Sequence, residues 1–219
     1  METRPDEVMS DIETLMWRVY GYVRERGVPV HEGGASVAQA LYLRELARMS
    51  KSRVVAEIGF NVGFSSLAFL ESSPDARVVS FELDNRRSVE LAKEFIDANY
   101  PGRHDLVVGN SVETLPRYLE TMREAADLVF IDGGHDYEVA AADTRNARRI
   151  AKAGAIVVTD DLIPWYPWGV GPYQAWQEAV DLGLIEPVEY YVDGVAVAEV
   201  TEPGDRAWGV GRFLGDPTA

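Results

Sequence analysis

One short stretch of the sequence combines chemically active side chains with residues that free the backbone. It reads VFIDGGHDYE: an apolar run ends on Asp132, two glycines follow, and His135 comes three positions after the carboxylate. A histidine titrates near neutral pH, so it can take a proton from a reacting hydroxyl group at cellular pH. The stretch therefore predicts an active site with Asp132 and His135 as its catalytic residues.

A second group of carboxylates follows another apolar run, VVTDDL, which ends on Asp160 and Asp161. Neighbouring parallel strands lie about 5 Å apart, so side chains from two strand ends can converge on one point. Three carboxylates in one pocket take up protons or a cation, and oxygen ligands favour magnesium or a similar ion. The pattern predicts a metal site formed by Asp132, Asp160 and Asp161. The alternative is that Asp160 and Asp161 cap the next helix or face solvent.

Composition limits the class of protein. The 219 residues fit one domain, and no apolar run approaches the roughly 18 residues that a membrane span needs. The N-terminal segment METRPDEVMS lacks the pattern of a secretory signal. A formal charge of −15 opposes binding to nucleic-acid phosphates. We therefore expect a single cytoplasmic domain over residues 1–219 that binds neither nucleic acid nor a membrane.

The elements that must position these residues follow from periodicity. Apolar residues at helical spacing predict helices over residues 6–26 and 37–49, the second with Ser36 as its N-cap. From residue 53, short β-branched runs alternate with segments of helical length at 86–99, 111–123, 136–153 and 172–182. This alternation predicts a parallel sheet covered on both faces. Near the end, PVEYYV and VAVAEV flank Asp193 and Gly194, a turn signal for an antiparallel hairpin.

The predicted fold class is thus α/β. We expect a Rossmann-like, mostly parallel sheet of seven strands that ends in a C-terminal antiparallel hairpin. Residues 1–50 form an N-terminal helical cap, and residues 53–219 form the Rossmann-like core.

The loop after the first strand is the expected ligand site, because open α/β sheets bind ligands at the carboxyl ends of their strands. It reads AEIGFNVGFSS, and Gly59 and Gly63 let the backbone turn tightly beside a ligand. Glu82 ends the second strand, where an acid can accept hydrogen bonds from ribose hydroxyls. Asn110 and Ser111 follow the third strand and add polar contacts, although Ser111 can equally cap a helix. A tight strand-to-helix turn alone also explains the glycines.

Taken together, these motifs resemble the class I S-adenosylmethionine-dependent methyltransferases. The chain looks most like the small catechol-type O-methyltransferases and their bacterial natural-product relatives. The similarity covers an ExGxxxGxS motif, Glu82, the GNS segment, the Asp-ended fourth strand and EYYVDG. The resemblance implies S-adenosylmethionine as cofactor, with its methionine part among Glu57, Gly59, Asn61 and Ser65, its ribose at Glu82 and its adenine near Ser111. It also places Phe60, Gly63, Asn110 and Asp132 among the cofactor-binding residues.

The resemblance bears on the chemistry as well. Catechol-type enzymes bind Mg²⁺ with an Asp that ends the fourth strand and an Asp–Asn pair that ends the fifth; this chain has Asp160–Asp161 at the pair. Some antibiotic sugar methyltransferases resemble it in having three carboxylates. Where the catechol-type family has a lysine base, this chain has His135, and other bacterial relatives carry a similar DGxHxY pattern. His135 can alternatively orient the cofactor or bond to a helix end.

An aromatic segment, IPWYPWGVGPYQAW, follows the acidic pair directly. Aromatic side chains on loops often line pockets for flat or amphipathic ligands. We therefore predict that Trp165, Tyr166 and Trp168 contact a small hydroxylated acceptor, a phenol, catechol or sugar of a natural product. The alternative is that these rings pack the loop or form a dimer contact. Trp176 lies in a helical pattern and is expected in the core.

The predicted function is that of an S-adenosylmethionine-dependent O-methyltransferase assisted by a divalent ion, with His135 as general base. Three alternatives stay open: a catalytically idle regulatory module that binds the cofactor, a metal-independent N-methyltransferase, and an NAD-dependent oxidoreductase. The absence of GxGxxG disfavours the last of these. We also expect a homodimer formed through the N-terminal helices. These helices, with His31 and Glu32 between them, are expected to close over the pocket mouth.

Overall fold

The computed structural model describes residues 10–30 and 34–215. Its helices are α1 Asp11–Arg24, α2 Val37–Ser50, α3 Phe64–Leu70, α4 Arg87–Asn99, α5 Ser111–Thr121, α6 Tyr137–Ile150 and α7 Val170–Asp181. Its strands are β1 Val54–Ile58, β2 Arg77–Glu82, β3 His104–Val108, β4 Ala126–Ile131, β5 Ala151–Thr159, β6 Ile185–Val192, β7 Val195–Val197 and β8 Ala207–Phe213. The predicted helical residues 6–9, and His31 and Glu32, lie outside the described residues.

Local side-chain chemistry fixes where the first two helices begin. The Ser10 hydroxyl accepts a hydrogen bond from the Glu13 amide, and the Ser36 hydroxyl accepts one from the Gln39 amide. Each bond satisfies a backbone donor that the first turn of a helix leaves unpaired. The predicted N-cap at Ser36 is therefore confirmed.

Within the described residues, no helix is both long enough and apolar enough to cross a membrane.

The sheet contains eight strands in the order β3-β2-β1-β4-β5-β8-β6-β7. Strands β1 to β5 run parallel, and β8, β6 and β7 each pair antiparallel with their neighbours. The chain moves outward from β1 through β2 to β3 and then returns to the other side of β1 with β4. The order reverses between β1 and β4, and this switch point is where such sheets bind ligands.

Two apolar layers cover the two faces of the sheet. Alternate residues of each strand point to opposite faces, so Val55 packs in one layer and its neighbour Ala56 in the other. Buried residues of α1 to α4 form the first layer, and buried residues of α5 to α7 form the second. Burial on both faces explains why the central strands read as nearly continuous apolar runs.

The predicted α/β fold class is confirmed, and the C-terminal region adds detail. The predicted hairpin is present as β6 and β7, with Asp193 at φ 48° and Gly194 at φ 82° in the turn between them. Seven strands were predicted, and the strand not predicted is β8, which lies between β5 and β6. The helix predicted over residues 136–153 is shorter in the structure, where α6 ends at Ile150. Ala151 already belongs to β5 because it pairs with Ala126 of β4.

Candidate active site

The carboxyl ends of the five parallel strands meet at one cavity of about 780 Å³. Backbone hydrogen bonds hold the strand ends in register: Gly59 N donates to Phe81 O at 2.8 Å, Asp132 N to Ile58 O at 2.8 Å, and Asp160 N to Ile131 O at 2.9 Å. Most of the predicted site residues line this cavity, namely Gly59, Phe60, Asn61, Ser65, Glu82, Asn110, Ser111, Asp132, His135, Asp160, Asp161 and Trp168. Glu57, Gly63, Trp165 and Tyr166 are not among its lining residues.

The glycine loop forms the wall between the first and fourth strands. Gly59 has φ 97°, and a Cβ atom built there would lie 1.8 Å from the Asp132 carbonyl oxygen. Only a residue without a side chain can make this approach. Asn61 also adopts a left-handed conformation, with φ 48°, and its amide oxygen is buried with no hydrogen-bond partner among the described residues. A ligand donor can satisfy this oxygen.

Glu82 ties the end of the second strand to the same loop. One carboxylate oxygen, Oε2, accepts hydrogen bonds from the backbone amides of Phe60 at 3.2 Å and Asn61 at 2.8 Å. The other, Oε1, lies 3.6 Å from a guanidinium nitrogen of Arg86. Glu82 is only 7% exposed. The side chain therefore shapes the loop and still presents its carboxylate at the cavity.

The two polar residues predicted after the third strand, Asn110 and Ser111, have different roles. Asn110 is the N-cap of α5, because its side-chain oxygen accepts a hydrogen bond from the Val112 amide at 3.1 Å. Ser111 lines the cavity. Burial raises the pKa of the Asp143 carboxyl to about 6, and the nearby Ser111 hydroxyl acts in the opposite direction. The cap is thus formed by Asn110, and Ser111 faces a buried acid behind the cavity wall.

Glu57 lies behind the wall rather than at the cavity. It has no exposed surface, and its Oε2 accepts hydrogen bonds from the hydroxyls of Ser66 and Ser80. Burial raises the pKa of the Glu57 carboxyl to about 7, although the hydroxyls of Ser65, Ser66 and Ser80 act in the opposite direction. Neither Ser66 nor Ser80 lines the cavity, so Glu57 is held in the layer behind the glycine loop.

The buried Glu57 carboxyl makes stability depend on pH. The folded state keeps its proton up to about pH 7, whereas the ordinary pKa of the carboxyl is 4.5. Since the folded state binds more protons in this window, stability falls as pH rises through it. The variant Glu57→Gln cannot ionise. We expect the free energy of unfolding of the variant to increase relative to that of wild type as pH rises from 4.5 to 7. The expected increase is on the order of 3 kcal/mol.

Urea unfolding of both proteins at several pH values measures this difference. Below pH 4.5 both side chains are neutral, so the difference between the two unfolding free energies is expected to become constant and serves as the internal reference. Parallel curves for variant and wild type through the whole window would contradict the assignment of a buried, neutral Glu57.

The carboxyl groups of Asp132 and Asp160, at the ends of the fourth and fifth strands, have raised pKa values. Burial raises the pKa of Asp132, and the negative charges of Asp160 and Asp161 raise it further. Burial likewise raises the pKa of Asp160, with a smaller contribution from Asp161. The charge of Arg206 acts in the opposite direction on both Asp132 and Asp160. The predicted convergence of the fourth and fifth strand ends is therefore present in the structure.

His135 forms an ion pair with one of these carboxylates. Its Nε2 atom lies 2.9 Å from Asp161 Oδ2, and the imidazole side chain is 46% exposed. This hydrogen bond raises the pKa of His135 above its ordinary value. Asp161 reaches the imidazole from a left-handed backbone conformation, φ 58°, with its amide donating to Asp160 Oδ1. An imidazole oriented by a carboxylate is a typical general-base arrangement.

The predicted metal site is not assembled by these side chains. Among the residues that the structure describes, no group of three or more His, Cys, Asp or Glu side chains is arranged to hold a metal ion. Asp161 directs its carboxylate to His135, whereas Asp132 and Asp160 remain at the strand ends. In the described structure these side chains are therefore not arranged as a ligand set for a divalent ion.

The aromatic segment after the fifth strand has two roles. Trp168 lines the cavity and is 45% exposed, with its ring stacked on Tyr166 at a centroid distance of 4.6 Å. Trp165 and Tyr166 instead bond to the segment before β8, because Trp165 Nε1 donates to Gly204 O and the Tyr166 hydroxyl to Asp205 Oδ1. Trp176 is 1% exposed, as expected for a core residue.

Several lining residues were missed in the sequence. They are Gly34 and Ala35 before α2, Asp84 and Arg86 after β2, and Asp205 and Arg206 before β8. Their positions depend on tertiary contacts, and no local pattern marked them. The charged pair after the Pro-Gly turn, in EPGDRAW, was the available signal for Asp205 and Arg206.

A glycine loop, an acidic second-strand end and a cavity at the switch point are typical of α/β proteins that bind a nucleotide cofactor. Comparison with known proteins narrows this class. A family model described as a methyltransferase domain matches residues 56–162. Two solved structures have similar folds over nearly the whole chain.

The first of these structures is an O-methyltransferase from Bacillus cereus in complex with SAH. It aligns with a TM-score of 0.75 and 18% identity over 94% of this chain and 93% of that chain. The second, TomG from Streptomyces achromogenes in complex with SAM, is involved in tomaymycin synthesis. It aligns with a TM-score of 0.72 and 21% identity over 95% of this chain and 92% of that chain.

Curated relatives agree at the sequence level. A Mycolicibacterium vanbaalenii protein named "Putative O-methyltransferase" is 34% identical over 144 residues, which cover 62% of this chain and 59% of that protein. A Mycobacterium sp. (strain JLS) protein of the same name is 34% identical over 114 residues, 50% of each chain. The matches thus span half to three-fifths of these relatives. Residues 56–162 are thus similar to a methyltransferase domain, and the described residues have the fold of these two solved methyltransferases.

Proposed function

We propose that the protein transfers a methyl group from S-adenosylmethionine to a hydroxyl of a small molecule. The observation that carries the proposal is the His135–Asp161 pair, which lines the same cavity as the glycine loop. A cofactor-binding loop and an oriented proton acceptor at one cavity are the parts that O-methyl transfer needs.

The cavity wall suits the cofactor. The unpaired amide oxygen of Asn61 can accept a hydrogen bond from the methionine ammonium group, and Ser65 adds a hydroxyl nearby. Glu82 offers its carboxylate at the neighbouring strand end for the ribose hydroxyls. Close packing of Gly59 on the Asp132 backbone keeps this wall free of side chains.

S-adenosylmethionine, when bound, supplies a methyl group activated by a sulfonium. The chain's own residues then have to hold the acceptor and remove its proton. In a neutral His135 whose Nε2–H donates to Asp161, the other ring nitrogen, Nδ1, carries the lone pair. We assign Nδ1 as the atom that takes the hydroxyl proton, and Asp161 as the group that stabilises the resulting imidazolium.

The acceptor side of the cavity suits a molecule with an aromatic or sugar ring. The exposed ring of Trp168 offers a flat apolar surface in the same cavity as His135 and Asp161, and it stacks on the Tyr166 ring. Flat rings and the apolar faces of sugars pack on such surfaces. We propose a phenol, catechol or sugar hydroxyl as the acceptor, as in natural-product biosynthesis.

Other expectations from the sequence stay predictions. They are the single-domain organisation, the cytoplasmic location, the homodimer formed through the N-terminal helices and the lack of nucleic-acid or membrane partners. Magnesium assistance also stays a prediction, although the arrangement of carboxylates in the described residues does not support it. No step of the proposed mechanism passes through a metal ion.

Two measurements test the proposed function. Calorimetry is expected to show saturable binding of S-adenosylmethionine and of SAH, and no binding of NAD. Incubation with methyl-labelled S-adenosylmethionine and a panel of phenols, catechols, sugars and amines is then expected to label a hydroxylated acceptor. Cofactor binding without labelling of any acceptor would favour the idle regulatory module. Exclusive labelling of amines would replace O-methylation with N-methylation.

A further inference from the structure

The acceptor end of the cavity has an excess of negative charge. The three acidic residues Asp132, Asp160 and Asp161 all line it. An acceptor hydroxyl that loses its proton adds a further negative charge at this point. The reaction that we propose therefore needs a cation near the acceptor oxygen.

Two basic side chains other than histidine line the cavity within the described part of the chain, Arg86 and Arg206. Arg86 follows the second strand and lies 3.6 Å from Glu82, at the end assigned to the ribose. Arg206 lies at the acceptor end, because it directly follows Asp205, whose Oδ1 accepts a hydrogen bond from the Tyr166 hydroxyl, and the Tyr166 ring stacks on Trp168. Its charge also acts on the carboxyl groups of both Asp132 and Asp160. Because the carboxylates are not arranged to hold a metal ion in the described structure, Arg206 is the cation placed for this role.

The backbone and side chain of Arg206 are held in place by distant parts of the chain. Its amide donates to Asp193 Oδ1 at 3.0 Å, and its Nη1 donates to Gly34 O, within the N-terminal cap, at 3.1 Å. The hydrogen bond that Trp165 Nε1 donates to Gly204 O, 2.8 Å long, fixes the segment just before Arg206. A donor fixed before the reaction stabilises developing charge without a cost of reorganisation.

We propose that the Arg206 guanidinium binds the acceptor oxygen and stabilises the negative charge that develops on it. The inference rests on the proposed methyltransferase function. In the balanced step, the acceptor proton goes to His135, and an oxygen lone pair forms the bond to the methyl carbon. The electron pair of the broken C–S bond stays on sulfur. Arg206 thus supplies the positive charge that a divalent ion supplies elsewhere.

The test compares Arg206→Gln with wild type in methyl transfer to an acceptor found by the panel. Removal of one charge-stabilising donor typically lowers kcat about 10²- to 10³-fold. We expect a loss of this size in kcat, with SAH affinity by calorimetry within about threefold of wild type, since Arg206 lies at the acceptor end. The matched control is Arg212→Gln on β8, whose guanidinium bonds to Gly154 O away from the cavity; its kcat is expected to stay at the wild-type value.

Chelation and manganese titration complete the test. Wild-type turnover is expected to survive exhaustive chelation, and electron paramagnetic resonance is expected to show no stoichiometric Mn²⁺ site. Loss of turnover on chelation with recovery by magnesium would overturn the inference, as would stoichiometric Mn²⁺ binding that Asp160→Asn removes. An Arg206→Gln kcat within about threefold of wild type would also overturn it.

A second variant covers the case in which Arg206→Gln does not fold or does not bind SAH. Arg206→Lys keeps the charge and loses the planar fork of donors. We expect kcat about tenfold below wild type for this variant, and a wild-type kcat would overturn the inference. Absence of methyl transfer by wild-type protein on every acceptor would count against the proposed function itself, which separates the two failures.

Discussion

Replacement of His135 by alanine is expected to lower kcat by about 10²- to 10⁴-fold, the usual contribution of a positioned general base. The affinity for S-adenosylmethionine is expected to stay close to wild type. The reason is that His135 belongs to the acceptor end of the cavity, where its Nε2 bonds to Asp161, and makes no hydrogen bond to the glycine loop within the described residues. Steady-state kinetics with calorimetry measures both quantities.

A pH profile distinguishes a proton acceptor from a merely structural histidine. The hydrogen bond to Asp161 is the first cause of the raised pKa of His135, so the variant Asp161→Asn is expected to lower that pKa. The neutral base then persists to lower pH, and the acid limb of kcat/KM moves to lower pH. Asp136→Asn is the control, because the charge of Asp136 raises the same pKa less than Asp160 or Asp161 does. An acid limb that does not move in Asp161→Asn, with near-normal turnover of His135→Ala, would remove the base assignment.

Much of the fold could be predicted because buried elements have a recognisable local pattern in the sequence. The central strands are covered on both faces, so they appear as short apolar runs between helical segments. The hairpin turn was readable because Asp193 and Gly194 both adopt left-handed conformations, which these residue types tolerate best. In both places a local conformational demand selects particular residue types.

Strand β8 was not readable for a related reason. Its sequence AWGVGRF contains Gly209 and Gly211, and glycine weakens a strand signal. In the structure the Trp176 indole lies over both positions, because a Cβ atom added at Gly209 or Gly211 would lie 3.0 or 3.2 Å from its ring. The glycines therefore make room for a buried tryptophan, which is a tertiary requirement. Because β8 was not predicted from the sequence, the position of Arg206, just before this strand, could not be predicted either.

Within the candidate site, residue type was predictable but orientation was not. The motif marked Glu57, yet only the register of β1 shows that its carboxylate faces Ser66 and Ser80 instead of the cavity. The acidic pair marked Asp161, yet the left-handed backbone there turns its carboxylate to His135. Spacing along the chain does not determine these directions. For this reason the arrangement of the carboxylates does not support the predicted metal site.

The second large effect is expected from Gly59→Ala. A left-handed alanine costs about 1–2 kcal/mol, and overpacking in a close contact costs about 1–3 kcal/mol more. At Gly59 both costs apply, because φ is 97° and a Cβ atom would lie 1.8 Å from the Asp132 carbonyl oxygen. We therefore expect a loss of unfolding free energy of about 2–5 kcal/mol in urea. SAH affinity is expected to fall by about 100-fold or more, because the loop must move away from the fourth strand end.

The matched control separates backbone strain from the collision. Gly102→Ala also places alanine in a left-handed conformation, φ 70°, but its Cβ atom would meet nothing within 4 Å. This variant is expected to lose only the strain cost of about 1–2 kcal/mol and to bind SAH as wild type does. If the two variants lost equal stability and both kept SAH affinity, the close packing of Gly59 on Asp132 would not shape the cofactor wall. Since Asp132 N also bonds to Ile58 O, a shift at Gly59 displaces the strand end that leads to His135. The Gly59 variant is therefore expected to lose turnover even at saturating cofactor, which a defect in binding alone would not produce.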